Sequence, residues 1–153
     1  MDAKFLILIA EDSEEDALIV QLSLKRAGLP NPTHICPDGE EVIRYLSGVG
    51  QYGDRIQFPF PHVLLLDLKM PKMGGLDVLR WVRKNPSCAV IPTLILTSSN
   101  LPRDVQQAYE LGANAYLMKR GSLAEVQAML KSLHGFWRFC EVPEHGGKRF
   151  GEV

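Results

Sequence analysis

The stretch HVLLLDLKMPKMGG, residues 62–75, drives an apolar run into a single carboxylate, Asp67, and then breaks the chain with Pro71, Gly74 and Gly75. A run without polar alternation suits a strand buried on both faces, as in a parallel sheet. Four more short runs share this character: FLILIA (5–10), THIC (33–36), TLILT (93–97) and AYLMK (115–119). Helical patterns with start and stop signals fill the intervals. Ser13 with Asp16 resembles a capping box whose helix Gly28 can close, and Asp38, Glu41 and Gly48 repeat the scheme. Residues 74–84 carry Leu76, Val78, Leu79 and Val82 ahead of Pro86, while Pro102 opens a segment that stops at Gly112. Ser122 and Glu125 box the last helix, which places Val126, Met129, Leu130 and Leu133 on one face.

Five strands alternating with five helices predict right-handed crossovers and a flavodoxin-like, doubly wound α/β fold. Its five-stranded parallel sheet has the order 2-1-3-4-5, with helices on both faces. In such a sheet ligands bind beyond the carboxyl ends of the strands, at the point where the strand order reverses. Glu11 and Asp12 end the first run, Asp67 the third, Thr97 the fourth and Lys119 the fifth, so all five residues converge on one edge.

Composition narrows the function. A chain of 153 residues with 46% hydrophobic and 23% charged residues has room for one domain with a real core. The formal net charge of -1, with no clustered Lys/Arg stripe, argues against nucleic-acid binding. The run that ends at Ala10 is too short for a signal or membrane segment, which points to the cytoplasm and no membrane partner. Cys36, Cys88 and Cys140 lie outside any CxxC pattern and read as free thiols; His34, His62, His134 and His145 lack metal-ligand spacing. The loop GVGQYGDRIQFPFP (48–61) is long; its Phe58 and Phe60 are expected to pack within the loop, with a binding loop as the alternative.

Carboxylates crowded at neighbouring strand ends repel, by about 4 kcal/mol for two charges 4 Å apart at an effective dielectric of 20. Lys119 supplies one positive charge, and a hard divalent cation such as Mg2+, which favours one or two carboxylates, waters and a phosphate oxygen, supplies the rest. A carboxylate so held can attack phosphorus. Asp67 would form an aspartyl phosphate, Lys119 would pair with one phosphoryl oxygen, and the Thr97 hydroxyl or the Ser98 backbone N–H would donate to another.

Together, Glu11-Asp12, the Asp67-Leu68-Lys69-Met70-Pro71-Lys72-Met73-Gly74-Gly75 segment, Thr97-Ser98, and Tyr116 with Lys119 resemble the receiver domain of two-component response regulators over about residues 4–134. The resemblance implies that Asp67 takes its phosphoryl group from a phosphohistidine on a sensor histidine kinase. It implies Mg2+ ligation by Asp12, Asp67 and the backbone carbonyl of Lys69, with Glu11 assisting. It also implies a switch in which Thr97 moves toward the phosphoryl group and Tyr116 turns into the vacated space, Tyr116 otherwise being a packed core aromatic. Lys69 and Ser99 occupy positions where the family tunes aspartyl-phosphate lifetime. One departure is Arg120, where the family usually has Pro after the lysine, often in a cis bond. A cis non-proline bond costs about 3–4 kcal/mol, which points to a trans loop and a different seat for Lys119.

The chain ends soon after the last helix, so output through contact with another, unnamed protein is expected from a receiver over 1–135 and an extension over 136–153. The long loop and the tail HGFWRFCEVPEHGG (134–147) are similar to single-domain regulators of phytochrome-type histidine kinases, which often form homodimers. Phe136, Trp137 and Phe139 are candidates for that interface, with packing onto their own helix as the alternative. Such a protein is not an enzyme, since it catalyses only its own phosphoryl transfer and slow autodephosphorylation. A pseudo-receiver adaptor, acting by protein contacts alone, would normally lack Asp12, Asp67, Thr97 or Lys119, and all are present. A haloacid dehalogenase-type phosphohydrolase needs a second Asp where Lys69 stands, and the first loop, EDSEED, repels the phosphate of a flavin.

Overall fold

Strands form where the apolar runs stand: β1 (Ile7–Ala10), β2 (Thr33–Cys36), β3 (Val63–Leu66), β4 (Thr93–Thr97) and β5 (Ala115–Met118). The computed structural model describes residues 6–29, 32–119 and 122–141. The expected start of the first run at Phe5, the conformation at Arg120 and the tail from residue 142 therefore lie outside the described residues. All strand pairs are parallel, in the order β2-β1-β3-β4-β5, as expected from the sequence.

Helices α1 (Glu14–Arg26), α2 (Gly39–Ser47), α3 (Gly75–Lys84), α4 (Pro102–Glu110) and α5 (Leu123–Trp137) cover both faces. Side chains alternate along a strand, so Leu8 and Ala10 of β1 pack with α2 and α3, while Ile7 and Ile9 pack with α1 and α5. Each fully buried aliphatic side chain contributes about 1.5–3 kcal/mol. Ser13, Asp38 and Ser122 accept the backbone N–H three residues on, as their capping positions predict. The reciprocal half of the box at α2 does not form, because the Glu41 carboxylate is held by the Tyr52 hydroxyl and Arg44. Gly28, Gly48 and Gly112 close their helices at φ of 87°, 70° and 99°. The expected 135/136 boundary falls inside α5, which continues to Trp137.

The long loop folds on its own aromatics. A 3-10 turn (Gly50–Gly53) brings Tyr52 within 4.9 Å of Tyr45 and 5.1 Å of Phe58, ring centre to ring centre, and His34 joins the cluster 4.9 Å from Tyr45. The Tyr45 hydroxyl donates to the Pro59 carbonyl at 2.7 Å, and the Arg55 guanidinium lies over the Tyr45 and Phe60 rings. At the opposite end of the sheet from the carboxyl ends, Arg83 ties α3 to later segments. It donates to the carbonyls of Ala89, Ile91 and Gly112 and to Asn114.

Register places the carboxyl-end residues. Ala10 pairs with Leu66, so Glu11 and Asp67 leave the sheet side by side, and the Asp67 N–H donates to the Ala10 carbonyl at 3.0 Å. Thr97 pairs with Met118, so Lys119 emerges one residue beyond, its N–H donating to the Thr97 carbonyl at 2.8 Å.

The turn after Asp67 admits no extra atom: a Cβ on Gly75 would lie 2.1 Å from the Asp67 carbonyl oxygen, and one on Gly39 would lie 2.2 Å from that of Met73. Gly75→Ala and Gly39→Ala should each cost about 1–3 kcal/mol in urea unfolding. Gly135→Ala, with open space around its Cβ and a helical backbone, should instead stabilise by about 0.4–1 kcal/mol. Equal effects at the three positions would contradict this packing.

Candidate functional site

Asp67 ends β3 at 8% exposure, held from three directions. The Thr97 hydroxyl donates to its Oδ1 at 2.9 Å, the Lys69 N–H reaches the same oxygen at 3.3 Å, and the Lys119 ammonium donates to Oδ2 at 3.0 Å. Thr97 is fully buried and Lys119 is 15% exposed at its side chain. The ammonium also contacts Glu11 Oε2 and lies 3.5 Å from Asp16 Oδ2. Glu11, itself only 4% exposed, accepts the Ser13 N–H at 3.1 Å.

Glu11, Asp12 and Asp67 each offer a carboxylate oxygen, all within 4.8 Å of one another, and Asp12 is exposed. One ammonium cannot neutralise this group. Burial pushes Glu11 up to about 7, the hydrogen bond it shares with Asp67 pushes it the same way, and Lys119 only partly offsets both. Burial also opposes ionisation of Asp67, but hydrogen bonding from Glu11, the Lys119 charge and the Thr97 hydroxyl win, so its carboxyl stays below the usual range. Burial acts to lower Lys119, but its contacts with Glu11 and Asp67 outweigh this and raise it. Glu11 therefore ionises less readily than a free carboxylate, and a bound divalent cation would favour its charged form. Hard oxygen donors and excess negative charge fit a cation such as Mg2+.

The structure brings together Glu11, Asp12, Asp67, Thr97 and Lys119, as the sequence predicts, with Lys69 beside them. Ser98 stands at the exposed rim, where it lines a cleft of about 230 Å3 with Asp16, Lys119 and Ser122. Tyr116 lies farther out. Its hydroxyl donates to the Ser99 carbonyl at 2.9 Å, and Ser99 is linked through its N–H to Thr97 Oγ1 at 3.4 Å. The Ser99 hydroxyl donates to Asp104 of α4 at 2.5 Å, so a chain of hydrogen bonds runs from Asp67 to α4 and β5. Asp16 was legible only as a capping partner; its proximity to Lys119 depends on α1 meeting the end of β5, which no local pattern records.

Comparison with known proteins identifies the family and the fold. The model of the family described as "Response regulator receiver domain" matches residues 7–131. Response regulator Rcp1 of Synechocystis sp. is 36% identical over 131 residues, covering 86% of this chain and 87% of Rcp1. The Mn(2+)-bound crystal form of Rcp1 superposes with a TM-score of 0.81 at 34% identity, over 91% of this chain and 99% of that one. Response regulator RPA3017, in red light signalling of R. palustris, gives 0.85 at 31% identity over 91% and 98% of the two chains. The phosphorylated cyanobacterial phytochrome response regulator RcpA gives 0.84 at 28% identity over 92% and 99%. No helix among the described residues is long and apolar enough to cross a membrane.

Glu11 is raised from an ordinary 4.5 to about 7, so its contribution to metal-free stability is full below pH 4.5 and is lost as pH rises through 7. His34, lowered by burial, tilts the profile the other way, so the comparison must be with Glu11→Gln. Without divalent cation, the melting temperature of the wild type should fall relative to Glu11→Gln between pH 5 and pH 8, and saturating Mg2+ should flatten the difference. Parallel profiles in metal-free buffer would contradict the assignment.

Proposed function

The chain belongs to the response regulator receiver domain family, and from that premise we propose that it accepts a phosphoryl group on Asp67 and signals through protein contacts. The donor is a phosphohistidine on a sensor histidine kinase. An Asp67 carboxylate oxygen bonds to phosphorus, the P–N bond breaks, and its electron pair leaves with the imidazole nitrogen. Asp12, Asp67 and the Lys69 carbonyl, with Glu11 assisting, hold Mg2+, which when bound supplies positive charge against the carboxylates and the phosphoryl oxygens. Lys119 pairs with a second phosphoryl oxygen, and the Thr97 hydroxyl or the Ser98 N–H donates to a third. The observation that carries this reading is the convergence on one buried carboxylate of a hydroxyl at 2.9 Å and an ammonium at 3.0 Å.

Switching uses the same contacts. The Thr97 hydroxyl leaves Asp67 for the phosphoryl group, and Tyr116, tied to Ser99 two residues beyond Thr97, responds on the face formed by α4, β5 and α5. The similarity to the cyanobacterial phytochrome response regulator RcpA supports a phytochrome-type kinase as partner; a cytoplasmic place of action is part of the same proposal. Phe136 and Phe139, 69% and 87% exposed at the start of the extension, supply apolar surface for a homodimer. The adaptor reading, in which contacts alone carry the signal, is less well supported, because a hydroxyl and an ammonium both reach the acceptor carboxylate.

Intact-mass analysis after incubation with acetyl phosphate tests the proposal. The wild type in Mg2+ should gain one phosphoryl group, and Asp67→Asn none; chelation of Mg2+ should prevent the gain. A wild type that stays unmodified in Mg2+ under excess donor would favour the adaptor reading.

A further inference from the structure

The Lys119 ammonium is shared by three carboxylates, and one of them, Asp16, stands outside the group of Glu11, Asp12 and Asp67 that can hold a cation. Asp16 belongs to a closed circuit that fixes its backbone and brings its carboxylate to Lys119. The Ser13 N–H donates to Glu11 Oε1 at 3.1 Å, the Asp16 N–H donates to Ser13 Oγ at 3.2 Å, Asp16 Oδ2 lies 3.5 Å from Lys119 Nζ, and Lys119 returns to Glu11. The circuit joins the exit of β1, the first turn of α1 and the end of β5.

Two features separate Asp16 from its neighbours. Its side chain is 48% exposed, against 4% for Glu11 and 10% for Asp67. An ion pair this open to water adds little to stability, so stability is not its main contribution. Were Glu11, Asp12 and Asp67 to hold a cation, Asp16 would be the one of the three lysine partners outside that set. Lys119 would then lack a fixed carboxylate on its outer side if Asp16 were absent.

Building on the phosphoacceptor reading, we propose that Asp16 is a positioning residue that anchors the Lys119 ammonium at the rim during phosphoryl transfer. Asp16 touches neither phosphorus nor the cation. In the step itself an Asp67 oxygen bonds to the phosphorus of an acyl phosphate, the P–O bond to the acyl group breaks, and its electron pair leaves with the carboxylate; Asp16 gains and loses nothing. Long-range electrostatics alone gives the opposite sign, because removing an anion near an anionic donor should speed its approach.

The test uses full-length wild type, Asp16→Asn and Asp16→Glu with acetyl phosphate and saturating Mg2+. Asp16→Asn should lower the maximum phosphorylation rate about tenfold, since small misplacements of a reacting or charge-pairing group cost rate steeply, while Asp16→Glu should stay within about threefold of wild type. The Mg2+ midpoint should be the same in all three proteins. A second readout needs no phosphorylation: in Mg2+-loaded protein, the 15N resonance of the Lys119 ammonium should be protected from exchange in wild type and lost in Asp16→Asn. A wild type that takes no phosphoryl group overturns the functional reading and this inference with it. A phosphorylated wild type matched or exceeded in rate by Asp16→Asn, or an unchanged Lys119 resonance in that variant, overturns the inference alone.

Discussion

Two carboxylates, Glu11 and Asp67, leave adjacent parallel strands side by side, and one ammonium, Lys119, spans both. The sheet forces this proximity: once Ala10 and Leu66 are in register, the next residue of each strand must share a corner only 4–8% exposed. Charge in such a corner is costly, because a lowered dielectric amplifies repulsion as it does attraction. The consequence is a divided pair, with Asp67 held ionised by its donors and Glu11 raised toward neutrality. Such a corner is built to receive positive charge.

The rest of the fold keeps that corner fixed. The β3–α3 turn packs so closely that Gly75 sits against the Asp67 carbonyl, and Lys72 takes a φ of 66° to complete the turn. A left-handed lysine is an uncommon conformation for a side chain with Cβ, and here its ammonium lies 3.6 Å from Asp38, the cap of α2. Thr97 is fully buried, so its hydroxyl has few places to go other than Asp67. From Thr97 the hydrogen bonds continue through Ser99 to Asp104 and Tyr116, which gives the corner a physical route to the α4–β5 face.

Much of this was legible in the sequence. Short runs rich in apolar residues marked all five strands, with β2 and β4 matching THIC and TLILT residue for residue although the edge strands β2 and β5 are only partly buried, and Ser13, Asp38 and Ser122 marked three helix starts. Strand order then carried Glu11, Asp12, Asp67, Thr97 and Lys119 to one edge, because parallel register turns positions at strand ends into neighbours. Contacts between elements with no shared local pattern were not legible. Glu41 looked like half of a capping box and instead holds Tyr52, eleven residues away; Arg83 carries no local signal for the carbonyls it binds, up to Gly112. Asp16 belongs to the same class, since only the approach of α1 to the end of β5 brings it to Lys119.

The central claim is that the corner crowds more negative charge than Lys119 can balance, so that it takes up a divalent cation and Glu11 ionises late in the cation's absence. Calorimetric titration of the protein with Mg2+ at pH 6.5, repeated in two buffers of different ionisation enthalpy, measures this directly. The account predicts one binding site whose apparent enthalpy depends on the buffer because a proton is released on binding, with the release fading by pH 8.5. Absence of binding, or binding with the same heat in both buffers, would contradict it.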